Sequence, residues 1–331
     1  KMDFSGMLLF ALFLILAAEF VNGWTDAPNA IATVVATKTL SPRVAVMLAT
    51  ILNIAGAFYG KAVAATIGKN IVRPEAVDLL TVSAAMVAIV VWSSAAWHFE
   101  IPTSESHALI AGLSGAALAA AGPQTLLWAG WSKTLTGLFF STVLGCFGGW
   151  ILAKLIQLIF ANLAPAGARR GFGVAQIFSS MLMAFSHGSN DGQKFMGAFA
   201  LALLLGGVTE SFAVPAWAVI ICALVMGLGT SIGGMRIIKT MGFKMVKLET
   251  YQGFSAEAGA ATTILAASSF GIPLSTTHTI NTAIVGVGLA RNKNAVGWQT
   301  VNRVVMAWIL TFPACGLIAF LCSKLFYFLA G

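Results

Sequence analysis

NGWTDAPN at Asn22–Asn29 and HGSNDGQK at His187–Lys194 both lie inside long apolar runs, and both contain Gly-x-x-Asp. Asp26 and Asp191 therefore occupy the same place in two copies of one motif. A charged Asp at bilayer depth costs about 2.5–3.5 kcal/mol on insertion scales, so two at matched positions point to function. Gly and Pro around each Asp weaken a helix. Unwound backbone is tolerated at that depth where it is buried or lines a cavity. The expectation is a pair of broken helices whose free carbonyls, with Asp26, Asn29, Asn190 and Asp191, make oxygen-rich seats for a small hard cation. A polar knot pinning two helices is the plainer reading of a single motif, and duplication weighs against it.

The rest of the chain carries the class. It has 331 residues, of which 58% are hydrophobic and only 9% charged, against about 25% charged in a soluble domain. Mean hydropathy is +0.89. Apolar runs long enough for about 30 Å of hydrocarbon recur throughout. The expected fold is an all-α polytopic membrane protein, with residues 1–165 and 166–331 as two repeats of about five hydrophobic segments each, together forming one transport domain. The segments fall near 5–39, 43–67, 76–99, 103–122 and 131–161, then 172–206, 214–235, 250–271, 274–290 and 300–329. The runs at 103–122 and 274–290 are short enough to be re-entrant hairpins. Met7–Val21 is read as a retained membrane segment, not a leader. Cys146, Cys222, Cys315 and Cys322 show no pairing or metal spacing and are read as packing residues.

A second repeated motif fixes the duplication. PTSESHALIAGLSG at Pro102–Gly115 matches PLSTTHTINTAIVG at Pro273–Gly286, aligning Ser104 with Ser275 and His107 with His278. Five spans per half would insert the second half upside down, giving inverted-topology repeats. On that assumption one side collects 12 Lys and Arg residues and the other 6. The positive-inside rule then places both termini outside. The net charge of +8 belongs to these loops, and no nucleic-acid partner is expected.

Thr103, Ser104 and Ser106, with Ser275, Thr276 and Thr277, follow prolines that start helices. Hydroxyls beside the unpaired N–H groups of a helix N-terminus bind anions without a formal positive charge. Two such ends can surround one tetrahedral oxyanion. N-capping accounts for one hydroxyl per helix but not for three. His107 and His278, one turn further in, are read as structural or supporting residues. Glu257, among small residues in QGFSAEAGAA (Gln252–Ala261), is a candidate ligand of a coupling cation. Lys194 stands where the first motif has Asn29, so its ammonium can act as an internal cation beside Asp191. Glu105 places a carboxylate beside the anion site, facing away from it or protonated.

At these four motifs the chain resembles the inorganic phosphate transporter (PiT) family. HGSND at His187–Asp191, NGWTDAPNA at Asn22–Ala30, PTSESHAL at Pro102–Leu109 and STTHT at Ser275–Thr279 carry the likeness. The resemblance implies phosphate import by symport with Na⁺ or H⁺ and alternating access around a midplane site in the plasma membrane. It implies cation coordination by Asp26, Asn29, Asn190 and Asp191, and phosphate contacts from Ser104, Ser106, Ser275, Thr276 and Thr277. No covalent cofactor is expected. Cargo as a metal–phosphate complex and a homodimer both fit the family. The chain departs from the pattern at Thr25, Lys194 and Glu105. Sulfate or another tetrahedral oxyanion is the rival cargo. An anion channel is a further alternative, as is an intramembrane hydrolase using Ser, His and Asp. Duplicated residues argue against the single asymmetric triad a hydrolase needs, and no Gly-x-Ser-x-Gly or His-Glu-x-x-His motif is present.

Overall fold

Small hydroxyl and acidic side chains set several helix starts. Ser41, Asp78, Ser104 and Ser275 each accept a hydrogen bond from a backbone N–H in the first turn, satisfying donors that have no partner within the helix. The computed structural model describes residues 5–26, 28–162, 164–232 and 234–331. Its helices are α1 (Gly6–Asp26), α2 (Pro28–Ala36), α3 (Pro42–Ala57), α4 (Ala62–Asn70), α5 (Leu79–His98), α6 (Glu105–Ala121) and α7 (Trp128–Ile159). The second half continues with α8 (Pro165–His187), α9 (Gln193–Leu205), α10 (Ala216–Ile232), α11 (Met235–Lys239), α12 (Thr250–Ser269), α13 (Thr276–Arg291) and α14 (Trp298–Ala330). The order of elements in α1–α7 recurs in α8–α14. Even the isolated bridges recur, Val72 with Leu126 and Val246 with Val296.

Among the described residues, four helical stretches are long and apolar enough to cross a membrane: α1 and α2 (taken together), α5, α7 and α14. α3 with α4, and α10 with the helical run Met235–Met245, reach that length only together and are bent by 69° and 57°, each pair being a broken span or a re-entrant loop. α6 and α13 have 17 and 16 residues, about 25 Å at 1.5 Å per residue, against about 30 Å of hydrocarbon. Both are buried nearly all round and begin inside the bundle.

The apolar surface of the bundle faces outward on the two longest helices. α7 exposes Phe139, Phe140, Phe147 and Ile151, and α14 exposes Ile309, Leu317, Leu321 and Phe328. Contiguous apolar surface of this kind suits lipid and not water. Trp128 and Trp298 are exposed at the first residues of the same helices, where an aromatic belt belongs. The protein is an integral membrane protein.

Packing crosses between the halves. α1 lies on α10 and α8 on α3, while α14 lies on α6 and α7 on α13. Gly23 and Gly188 make the first two contacts possible. A Cβ at Gly23 would stand 2.2 Å from Met226 O, and one at Gly188 would stand 2.2 Å from Asn53 O. These glycines therefore serve close helix approach. The unwinding expected around Asp191 does not occur: Gly188–Gly192 form a π-helical turn, widened but still helical, a feature often found at functional positions. In the first half, helix runs up to Asp26 and resumes at Pro28, and Ala27 lies outside the described residues.

Polar contacts tie the loops together. Lys244 pairs with Glu100 at 3.1 Å, Arg236 donates to His98 O at 3.1 Å, and Arg291 lies 3.6 Å from Glu249. Elsewhere Lys61 donates to Val214 O at 2.8 Å, and the backbone N–H of Arg73 donates to Thr125 O at 2.8 Å.

Candidate ion and anion site

The N-termini of α6 and α13 meet in the interior. Ser106 Oγ donates to Leu274 O at 2.9 Å, and the rings of His107 and His278 touch edge to face with centroids 4.5 Å apart. Around this junction every candidate side chain from the four motifs is buried: Thr25, Asp26, Asn29, Asn190, Asp191, Lys194, Thr103–His107 and Ser275–His278. These side chains are 0–7% exposed.

The two motif types are joined by hydrogen bonds. Thr277 Oγ1 donates to Asp26 Oδ1 at 3.1 Å and accepts from Asn29 Nδ2 at 2.9 Å. Thr276 Oγ1 donates to Asp191 Oδ2 at 3.1 Å. Lys194 Nζ donates to Asp191 Oδ1 at 2.6 Å and to Ser106 Oγ at 2.5 Å. Asn29 thus reaches Asp26 through Thr277. Asn190 donates to Ser268 Oγ at 2.9 Å and to Ile272 O at 3.4 Å, while its buried Oδ1 has no hydrogen-bond partner among the described residues. An orphaned amide oxygen in a buried site is the ligand a small cation needs.

The hydroxyl triplets divide in their roles. Ser104 and Ser275 accept from His107 N and His278 N, so the plain capping reading holds for these two. Ser106, Thr276 and Thr277 are bonded to the Asp motifs or to the facing helix. Thr103 is buried beside them. Both histidine rings pack on aromatic side chains. His107 stacks on Phe312 at 4.5 Å, and His278 lies on Trp308 at 3.6 Å between ring centroids.

Glu105 does not face the hydroxyls of its own triplet. It accepts from Thr25 Oγ1 at 2.9 Å and from Ser93 Oγ at 2.7 Å. Glu257 sits in a cluster of its own. Thr33 and Ser179 donate to its two oxygens, and Gln176 Nε2 lies 3.4 Å from Oε1. It shares no hydrogen-bond partner with Asp26 or Asp191, but Thr33 is one turn from Asn29 on α2.

Two contributors escape sequence reasoning. His187, quoted within the second motif but given no role, places Nε2 3.6 Å from Asp191 Oδ2, and its Nδ1 lies 3.1 Å from Asn53 Oδ1. Asn53 in turn donates to Thr230 at 3.2 Å. One ligand atom each from Asp26, His187 and Asp191 lies within 4.8 Å of the others. The first half offers no histidine at the corresponding place, where Asn22 stands.

A buried, oxygen-rich site between helix termini, set in an apolar bundle with bent helices, is an arrangement found in membrane transport proteins. A model of the phosphate transporter family matches residues 22–319. The chain is 43% identical over 96% of its length to a protein of Rhizobium meliloti (strain 1021) named "Probable low-affinity inorganic phosphate transporter", of which 94% is covered. A Bacillus subtilis (strain 168) protein of the same name is 40% identical, with 90% of each chain covered. This chain belongs to the phosphate transporter family, a family of carriers and not of enzymes. The fold is also that of a solved structure titled "The sodium-dependent phosphate transporter", with a TM-score of 0.90 at 24% identity, covering 98% of this chain and 100% of that one.

Proposed function

We propose that the protein imports inorganic phosphate across the plasma membrane by symport with a monovalent cation, Na⁺ or H⁺. The observation that carries this is the direct bonding of Asp26 and Asp191 to hydroxyls at the meeting point of two helix N-termini. Phosphate sits at those termini, held by Ser106, Thr276 and Thr277 with Thr103 nearby, while Ser104 and Ser275 keep the helix ends in shape. Two cation seats are formed, one by Asp26 with Asn29 and one by Asp191 with the Asn190 oxygen, and Glu257 serves as an accessory ligand reached through α2. A cation beside the anion lowers the energy of burying both, which couples the two fluxes. The buried site is an occluded state of an alternating-access cycle.

Residues 1–165 and 166–331 act as inverted repeats. The end bearing Arg236, Lys244 and Arg291 faces the cytoplasm and both termini lie outside, as the distribution of Lys and Arg supports. Phosphate keeps a proton that sulfate lacks at neutral pH, and a site rich in carboxylates accepts a hydrogen bond from it. Labelled phosphate uptake into proteoliposomes, with Na⁺ and pH gradients imposed separately, tests the proposal. Uptake should follow one of the gradients and resist sulfate competition. Uptake indifferent to both gradients, or abolished by equimolar sulfate, would refute it.

A further inference from the structure

Asn29 and Lys194 hold corresponding places in the two Asp motifs, and each makes the same reach. Asn29 donates to Thr277 and Lys194 to Ser106, and these hydroxyls themselves correspond in the second repeated motif. The two side chains differ in one respect, which is charge. Lys194 Nζ stands 2.6 Å from Asp191 Oδ1 with both side chains fully buried. A buried ion pair gains little stability over apolar packing and persists where it has a task. An ammonium is a compact point charge. Here it contacts one carboxylate oxygen and one hydroxyl oxygen, two ligand types that a bound alkali cation takes. Asp26, by contrast, accepts from the Thr277 hydroxyl and has ligand atoms of His187 and Asp191 within 4.8 Å, but no Lys or Arg is bonded to it among the described residues.

We propose that Lys194 is a tethered cation that permanently fills the seat of the second Asp motif. The exchangeable cation is then confined to the Asp26 side, and each cycle carries one cation fewer than two open motifs would. This rests on the symport reading above. The ammonium lowers the cost of burying phosphate in the loaded carrier, and Asp191 neutralises it when the carrier returns empty.

The experiment is to measure charge moved per phosphate in proteoliposomes, from the membrane potential at which net phosphate flux reverses. Lys194→Asn should move one more positive charge per phosphate than the wild type and show a steeper dependence on cation concentration. Lys194→Arg should keep the wild-type ratio. An unchanged ratio in Lys194→Asn overturns the proposal. If that variant does not transport, its thermal unfolding in detergent decides. A midpoint raised by NaCl or LiCl over choline chloride, by more than in the wild type, supports an opened cation seat. The absence of any such rise overturns it. Wild-type protein that moves no phosphate under any gradient would instead strike the symport reading, and the unfolding comparison would still judge Lys194.

Discussion

Thr25 donates its hydroxyl hydrogen to Glu105 Oε1 at 2.9 Å, joining two positions at which the halves of the chain differ. By the repeat, Thr25 corresponds to Asn190 and Glu105 to Thr276. The second half therefore sets an amide and a hydroxyl where the first half sets a hydroxyl and a carboxylate. Each departure supplies the partner that the other needs. Thr25→Asn and Glu105→Thr should each depress phosphate uptake, and the double variant should recover most of it. In a double-mutant cycle on transport rate or thermal stability the coupling should be on the order of 1–3 kcal/mol. Strictly additive losses would show that the two departures arose independently.

Thr277 and Ser275 are two residues apart on one helix end and should respond differently. Thr277→Val removes the donor to Asp26 and strands the Asn29 amide, a penalty of about 1–3 kcal/mol for an unsatisfied buried group. At about 1.4 kcal/mol per decade, phosphate uptake should fall roughly tenfold or more, with a higher half-saturating cation concentration. Ser275→Ala removes only the cap of His278 N. It should lower stability by about 1 kcal/mol and leave cation dependence near wild type. Matching kinetic defects in the two variants would place Ser275 in the binding site as well.

The site was legible where the sequence repeats itself. Asp26, Asp191 and the hydroxyl triplets could be matched to one another because duplication marks them, and the ten-segment order followed from hydropathy. Other features depend on depth and approach, which a linear pattern does not carry. Which hydroxyl caps and which bonds an Asp is set by how α6 and α13 meet. Gly188 reads the same whether it loosens a helix or lets Asn53 O approach. Asn53 itself lies in an apolar run with nothing to link it to His187, because α3 and α8 meet only in the folded bundle. Glu257 was visible as a buried carboxylate, but its neighbours come from α2 and α8.

Glu257 tests the accessory cation path. Its carboxylate accepts from Thr33, Ser179 and Gln176, so Glu257→Gln keeps most of the shape while removing the charge. Hydrogen bonds to charged groups contribute about 1.5–3 kcal/mol against about 0.5–1.5 for neutral ones. If Glu257 receives the cation, the variant should need severalfold more Na⁺ or H⁺ for half-maximal uptake, with phosphate affinity at saturating cation unchanged. A loss of stability with unchanged cation dependence would make the cluster purely structural.

Gly23 and Gly188 give the crossed packing of the halves its own test. In each, a Cβ would stand 2.2 Å from a carbonyl oxygen of a backbone on the opposite half. No rotamer relieves such a contact, since the Cβ is fixed by the backbone, so the helices must separate. Overpacking of this kind costs about 1–3 kcal/mol. Both substitutions to Ala should lower the thermal midpoint in detergent by several degrees. Because Asp26 and Asp191 lie one turn beyond these glycines, separating α1 from α10 or α8 from α3 should also displace each Asp from its hydroxyl partner. Gly23→Ala and Gly188→Ala should therefore lose transport beyond what their stability loss explains. Gly171→Ala, which has nothing within 4 Å, is the control and should change neither. Transport that falls only in proportion to folded protein would show that the Asp motifs are positioned by their own helices and not by the packing between halves.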